Sequence, residues 1–382
     1  MRFRTLITIT LFFAINLSAQ TAARRGLTAD DIYRMQEVSE PRVSPDGKWV
    51  AYTVASNDRD SDKRRSAIWM ASWDGTQDVQ LTHGTESAES PRWSPDGKYL
   101  AFTMARPEDS KDQVWVLDRR GGEARQVTHL TGELDSYEWA PDSKRIAIVM
   151  NPGDDDSGDS KGSKEKAPKP IVIDRYHFKA DIEGYLSASS LKRIYLFDIE
   201  TGKVDPLTAE PSFDQTHPTW SPDGAQIAFV TGLTHDPDQT GTTDIVIASA
   251  HAGSTARKLL TIYTPNQQKL SWSPDGKTLA FLQGEEPKYY AYIQDRLAVV
   301  PVAGGEPRLL TGKIDRAVAH PHFTPDGSAL TFTVEDDRLQ YLATVPVNGG
   351  AVKRISKSNA VISEPDMAGG HLAVLAATDT SA

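Results

Sequence analysis

Residues 158–162 read GDSKG, the Gly-x-Ser-x-Gly spacing that in a hydrolase holds a nucleophilic serine on a strained strand-to-helix turn. For Ser160 to act so, an apolar strand must precede it and a helix must follow. Its flanks are NPGDDDS and SKEKAPKP. From Asn151 to Pro170 the only apolar side chain besides the prolines is Ala167, and prolines and glycines exclude a regular helix. Residues 151–170 are therefore expected to be a disordered surface insert, and no catalytic residue is assigned.

Two further patterns carry chemistry on paper. His217 and His320 precede prolines in THPTW and AHPHF, and His320 and His322 have the i, i+2 spacing of one strand face, which could pair on a metal. Ser90 fills the same slot in SPRW, so the slot is read as structural and no metal is assigned. Acidic turns could hold calcium, yet each turn here offers a single aspartate, which fits capping of the turn instead. No cofactor is implied. Trp93, Trp139, Trp220 and Trp272 each stand two residues before a turn proline, where Val43 and Phe323 stand elsewhere. A slot open to any large apolar residue is core packing.

Those turns belong to a repeat. It reads RVSPDGKWVAYTV from Arg42, RWSPDGKYLAFTM from Arg92, EWAPDSKRIAIVM from Glu138, TWSPDGAQIAFVT from Thr219, SWSPDGKTLAFLQ from Ser271 and HFTPDGSALTFTV from His322, with a worn seventh copy, EPDMAGGHLAVLA, from Glu364. In S-P-D-G the proline presets the second turn position, and aspartate and glycine suit the third and fourth. The apolar run after it reads as a buried strand. Between the copies lie glycine-centred hairpins such as QVWVLDRRGGEARQVT and RLAVVPVAGGEPRLLT.

From hairpin glycine to the next box aspartate the gap is 21 or 22 residues five times, then 17 from Gly349 to Asp366. The opposite gap varies and reaches 60 between Asp142 and Gly202, where the insert lies. Units of about 50 residues with four short strands describe propeller blades. The expected fold is all-β, a β-propeller of about seven four-stranded blades with the last incomplete, spanning residues 41–382.

Ahead of it, MRFRTLITITLFFAINLSAQ has two arginines, an apolar run and a small-polar end, the order of a signal peptide over residues 1–20. Residues 21–40 are expected to form a helical segment, with Thr28 as N-cap and Asp31 three residues on. Cysteine is absent and the net charge is −10, with no basic stripe. Nucleic acid is thereby disfavoured as a partner, and no membrane association is expected after signal cleavage. A periplasmic or secreted address follows, with self-association into a homo-oligomer left open.

The boxes with their V/L-A-F/Y strands resemble TolB-type propellers and the propellers of the prolyl oligopeptidase family of serine peptidases. The opening LTADDIYRMQEVSEPRVSPDGKWVAYTV, its continuation RRSAIWMASWDG, and PIVIDRYHFKADIEGYL at 170–186 resemble the acylaminoacyl and dipeptidyl peptidases of that family. The resemblance implies a non-catalytic propeller that restricts peptide access to an α/β-hydrolase domain. That domain is not expected within these residues, which end at AVLAATDTSA, so the chain reads as a fragment that is inactive alone. By the same resemblance Arg175, Asp181, Glu183 and Tyr185 are candidates for binding substrate. The alternative is a stand-alone TolB-like periplasmic propeller that binds another protein.

Overall fold

The computed structural model describes residues 25–152 (save 108 and 110), 173, 178–181, 184–185, 191–209, 213–233, 240–264, 269–286, 288, 292–357 and 359–378. The expected signal peptide and Ser160 lie outside these. So does the expected insert, except Asn151, which ends the strand Arg145–Asn151, and Pro152.

Each blade grows from its turn. The Ser44 hydroxyl donates to Asp46 Oδ1 at 2.6 Å and accepts from the Trp49 N–H at 3.0 Å, while Asp46 Oδ1 takes the Lys48 N–H at 3.1 Å. Gly47 sits at φ 69°, the left-handed region that closes the turn without a Cβ clash. The same hydroxyl–carboxylate bond recurs at Ser94–Asp96, Ser221–Asp223, Ser273–Asp275 and Thr324–Asp326. In the third copy Ala140 lacks the hydroxyl and Ser143 takes the glycine position at φ 59°.

The turn joins the first two strands of an antiparallel meander. Six such four-stranded sheets occupy residues 36–80, 88–126, 133–206, 216–262, 271–309 and 318–354. The second strands of the third to fifth blades are buried on both faces, as in Arg145–Asn151, Gln226–Thr231 and Thr278–Gln283, because each of these sheets is packed between two others, whereas Trp49–Asp58 of the first blade is buried only at alternate residues. Phe102, Phe229, Phe281 and Phe332 are fully buried at one repeated position.

The seventh repeat departs from expectation. Val361–Ala368 and His371–Ala377 pair only with each other and join the sixth sheet through one parallel pair, Gln340↔Val361. The described residues thus form six four-stranded blades and a terminal hairpin, rather than seven sheets. The register corrects the repeat too. Met367↔Leu372 matches Val43↔Val50, so Pro365 corresponds to Pro41 and Asp366 to Arg42. The S-P-D-G turn is replaced by Gly369-Gly370, both at positive φ. Gly370 lies 21 residues after Gly349, which restores the spacing that Asp366 had broken.

Among the described residues of the stretch expected to be helical, only Ala29–Tyr33 forms a helix, of 3₁₀ type, and the first strand already starts at Gln36. Asp31 accepts the Thr28 N–H and hydroxyl at 2.7 and 2.9 Å, and Arg25 pairs with it. These bonds hold its carboxyl well below the ordinary range, the Arg25 guanidinium being the largest cause.

Candidate functional site

First strands pack together at the junctions of the first unit with the second, the second with the third, the fourth with the fifth, the fifth with the sixth, and the terminal hairpin with the first. Gln36–Val43 touches both Ala88–Trp93 and Val361–Ala368, and Ser271–Trp272 touches both Thr216–Trp220 and Val318–Phe323. These strands therefore surround the axis, and their side chains are the ones that can meet there.

A proline shapes that meeting. In five of the seven first strands the register slips where an X-Pro pair opposes one partner residue, a β-bulge. The residue before each proline has positive φ: Glu40 at 54°, Ser90 at 56°, His217 at 53°, His320 at 54° and Glu364 at 48°. A residue before proline normally stays extended, and the left-handed region costs a side-chain-bearing residue about 1–2 kcal/mol. Five repeats of this strain at one place mark where the surroundings over-determine the backbone.

The result is two layers around the axis, the pre-proline residues and those two positions later. Glu364 Oε2 accepts the Glu40 N–H at 2.5 Å, and Glu40 Oε2 accepts the Ser90 N–H at 2.9 Å, so each carboxylate caps the strained residue of the next unit. In the second layer Arg42 lies 4.0 Å from Asp366, and Asp366 Oδ2 accepts the Val43 N–H at 2.7 Å. Arg92 lies 3.5 Å from Glu40. Lys269, from the fifth unit, bonds Glu138 of the third at 2.5 Å, reaching past the fourth.

Burial shapes the charges here. It lowers the Arg42 guanidinium, helped by the like charge of Arg92, while Asp366, Glu40 and Glu364 pull it back. Burial also lowers His217, His320 and His322, which favours their neutral forms. His322 is open to solvent yet hemmed in by neighbouring strands, so its side chain is reachable but poorly hydrated. The bulge between Ala319 and His322 breaks the simple alternation that would pair His320 with His322. His320 Nδ1 instead lies 3.2 Å from Thr333 Oγ1.

Between units the tryptophans do more than fill space. Their indole Nε1–H groups donate to a first-strand carbonyl of the preceding unit: Trp93 to Arg42, Trp139 to Arg92, Trp220 to Glu138 and Trp272 to Thr219, at 2.9–3.3 Å.

Of the residues assigned by resemblance, Arg175 and Glu183 lie outside the described ones. Asp181 sits in the turn of a separate two-stranded hairpin, Lys179–Ala180 with Gly184–Tyr185, distinct from the third blade. Tyr185 is exposed, its ring 6.5 Å from that of Phe178 with Lys179 Nζ over it at 5.7 Å. The axial residues Glu40, Arg42, Glu138, Lys269, Glu364 and Asp366 went unmarked by sequence reasoning. The signal for Glu40, Arg42, Glu364 and Asp366 was the X-Pro-X run ahead of five of the seven boxes, EPRV, SPRW, HPTW, HPHF and EPDM; Glu138 and Lys269 lie in SYEW and KLSW, which lack the proline.

Comparison with known proteins agrees with this architecture. Residues 183–369 match the family model of the TolB beta propeller domain. An uncharacterized peptidase of Bacillus subtilis strain 168, YuxL, is 30% identical over 222 residues, which is 58% of this chain and 33% of that protein. The acylaminoacyl peptidase of Pyrococcus horikoshii superposes with a TM-score of 0.65 at 21% identity, over 90% of this chain and 50% of its own. The propeller domain of the trilobed protease from Pyrococcus furiosus, described as having an open velcro topology, gives 0.62 at 19% identity over 91% and 92%. This chain thus spans a third of the Bacillus protein and half of the acylaminoacyl peptidase, and at these identities the structural likeness speaks for the fold. The chain is a β-propeller whose residues 183–369 match the TolB propeller model, and acylaminoacyl peptidases are among its structural neighbours.

Proposed function

We propose that the chain is the propeller portion of an exported serine peptidase of acylaminoacyl or dipeptidyl type, whose axis admits peptides and excludes folded proteins. The observation that carries this reading is the pair of charged layers on the axis of a propeller shaped like those of acylaminoacyl peptidases. An extended peptide can exchange its own charges with Lys269–Glu138 and Arg92–Glu40, whereas a folded surface cannot enter. Acylation of a serine by a triad with an oxyanion hole would be supplied by an α/β-hydrolase domain joined to this chain. Within the same reading, residues 1–20 direct export to a periplasmic or secreted address. The terminal hairpin is the inner half of a seventh blade, and Arg175, Asp181, Glu183 and Tyr185 contact substrate.

The test joins the propeller to a hydrolase domain of that family and compares cleavage of a short peptide with cleavage of a folded protein. Lys269→Ala with Glu138→Ala should raise cleavage of the larger substrate relative to the smaller. A ratio unmoved by the double variant sinks the gating role. Glu183→Gln and Asp181→Asn should each raise KM for peptides with a free amino terminus, and unaltered kinetics in both removes the loop from recognition.

A second reading, a TolB-like module that binds another envelope protein, is favoured by the family model over residues 183–369. It gains if attaching the propeller leaves the size preference of the hydrolase domain unchanged.

A further inference from the structure

We propose that the cavity between the first and second blades, lined by Lys63, Arg64 and Arg65 from one and Asp112 from the other, binds a small zwitterion. The ligand is a free amino acid or dipeptide, its carboxylate on the basic wall and its ammonium on Asp112. The inference does not depend on the peptidase reading.

The meander brings these residues together. In an antiparallel sheet the starts of the first and third strands share an edge with the ends of the second and fourth. Lys63 starts the third strand of the first blade, and Asp112 stands just ahead of the third strand of the second, Gln113–Asp118. Ser87 leads into the first strand of the second blade, Ala88–Trp93, and Ala105 follows its second, Tyr99–Met104. They meet on one face of the ring around a cavity of about 310 Å³, at the lower end of the range of small-molecule sites. Its frame is fastened. The Ser87 hydroxyl accepts the Ser66 N–H at 3.1 Å, which ties the two blades together. Beside Asp112, the Gln113 side chain accepts the Leu130 N–H at 2.8 Å and the Thr128 hydroxyl at 2.9 Å, and donates to the Leu130 carbonyl at 3.1 Å. These bonds fix the strand end that carries Asp112.

Both ends of the cavity hold charge to spare. On the basic wall Arg64 pairs with Glu37, and Arg65 lies 3.3 Å from Asp58 and donates to the Ser61 hydroxyl at 3.2 Å. Arg65 Nε is buried without a hydrogen-bond partner. Among the described residues Lys63 and Asp112 have no ion pair, with each other or with any other group, within 4.0 Å. Although exposed, the Asp112 carboxyl is partly desolvated, and that burial, followed by the like charges of Glu89 and Glu133, raises it above the ordinary aspartate value. This end of the cavity therefore favours a cation.

Opposite charges thus line one cavity and do not neutralise each other. A ligand with a single charge would satisfy one end and dry the other without compensation, which is costly. A ligand with both charges satisfies both ends, through charge-assisted hydrogen bonds. Amino acids and dipeptides carry an ammonium and a carboxylate at the two ends of a short chain, which is the pattern the cavity presents in reverse.

Calorimetric titration of the full chain with alanylalanine tests this, beside the same dipeptide acetylated at its amino end or amidated at its carboxyl end. The free dipeptide should bind, and each capped form should bind about tenfold or more weakly, the change that losing a charge-assisted hydrogen bond carries. Asp112→Asn should weaken the free and amidated forms and leave the acetylated one as in the parent. Lys63→Gln should weaken the free and acetylated forms and leave the amidated one. Both residues are exposed, so circular dichroism of each variant should match the parent. Glu138→Gln, which breaks the Lys269 pair on the axis, should leave all three affinities unchanged. Failure of the free dipeptide to bind overturns the proposal. So do equal affinities for the three forms, parental affinity in both cavity variants, or a loss of binding in the axial one.

Discussion

Trp272→Phe removes one stitch between the fourth and fifth blades while leaving an aromatic ring in place. Trp272 is 8% exposed, and its indole donates to the Thr219 carbonyl at 3.1 Å amid Leu279, Phe281 and Ala298. Losing that bond costs about 1 kcal/mol net, since the carbonyl retains its ladder partner in the pair Thr219↔Ala228. The smaller ring leaves a void of roughly 40 Å³, which at about 24 cal/mol per Å³ adds about 1 kcal/mol. The total is about 2 kcal/mol. With a urea slope of about 3 kcal/mol per molar for a chain of this size, the unfolding midpoint should fall by roughly 0.7 M. Fluorescence and circular dichroism followed through the same titration provide the assay, and Trp93→Phe should behave alike because its indole reaches Arg42 in the same way. A midpoint within about 0.1 M of the parent in both variants would refute the stitching role, leaving the tryptophans as packing alone.

The Asp326 carboxyl is held at about 2, chiefly by the Thr324 hydroxyl and then by the Ser328 N–H. Its contribution to stability is present above the unfolded aspartate range near pH 4 and is lost as pH falls through about 2. Asp326→Asn should flatten Tm against pH in that window, and an unchanged slope would remove the turn bond from the acid limb. Burial lowers His217, so the fold favours its neutral form and stability declines as pH falls below the ordinary histidine value of about 6.5. His217→Asn should reduce that decline, and a steeper one would contradict the sign. Gly369→Ala and Gly370→Ala both pay for a positive φ, about 1–2 kcal/mol each. Only Gly369 meets backbone within 3 Å, so its variant should be the less stable by a further 1–3 kcal/mol, and equal Tm values would deny the close approach.

The blades were legible because each S-P-D-G turn states its own geometry. A proline, an aspartate and a glycine in fixed order leave one way to reverse the chain, and the apolar run after them has one fate. The tryptophan slot was readable as buried for the same reason: substitution by Val43 and Phe323 shows that size matters there. Its hydrogen bond was not readable, because the acceptor is a backbone carbonyl about 50 residues away that no side chain announces. The axial layers were hidden differently. His217, Ser90 and Glu40 share a slot, and their diversity read as indifference, whereas the slot fixes a strained backbone and leaves the side chain free to differ. Charged side chains brought to one axis can pair, as Glu40 and Arg92 do, or cap a neighbouring backbone, as Glu364 does on the Glu40 N–H, and such bonds exist only once the ring is assembled. The seventh repeat failed for a third reason. Aligning it on Pro365-Asp366 matched the letters of the box, yet the spacing of 17 already disagreed with the 21 or 22 elsewhere. Strand pairing is set by distance along the chain, since one residue of slip moves every side chain to the other face. The number was the better guide than the motif. Placing Asp366 in the arginine slot turns an apparent turn residue into a carboxylate beside Arg42 that also accepts the Val43 N–H.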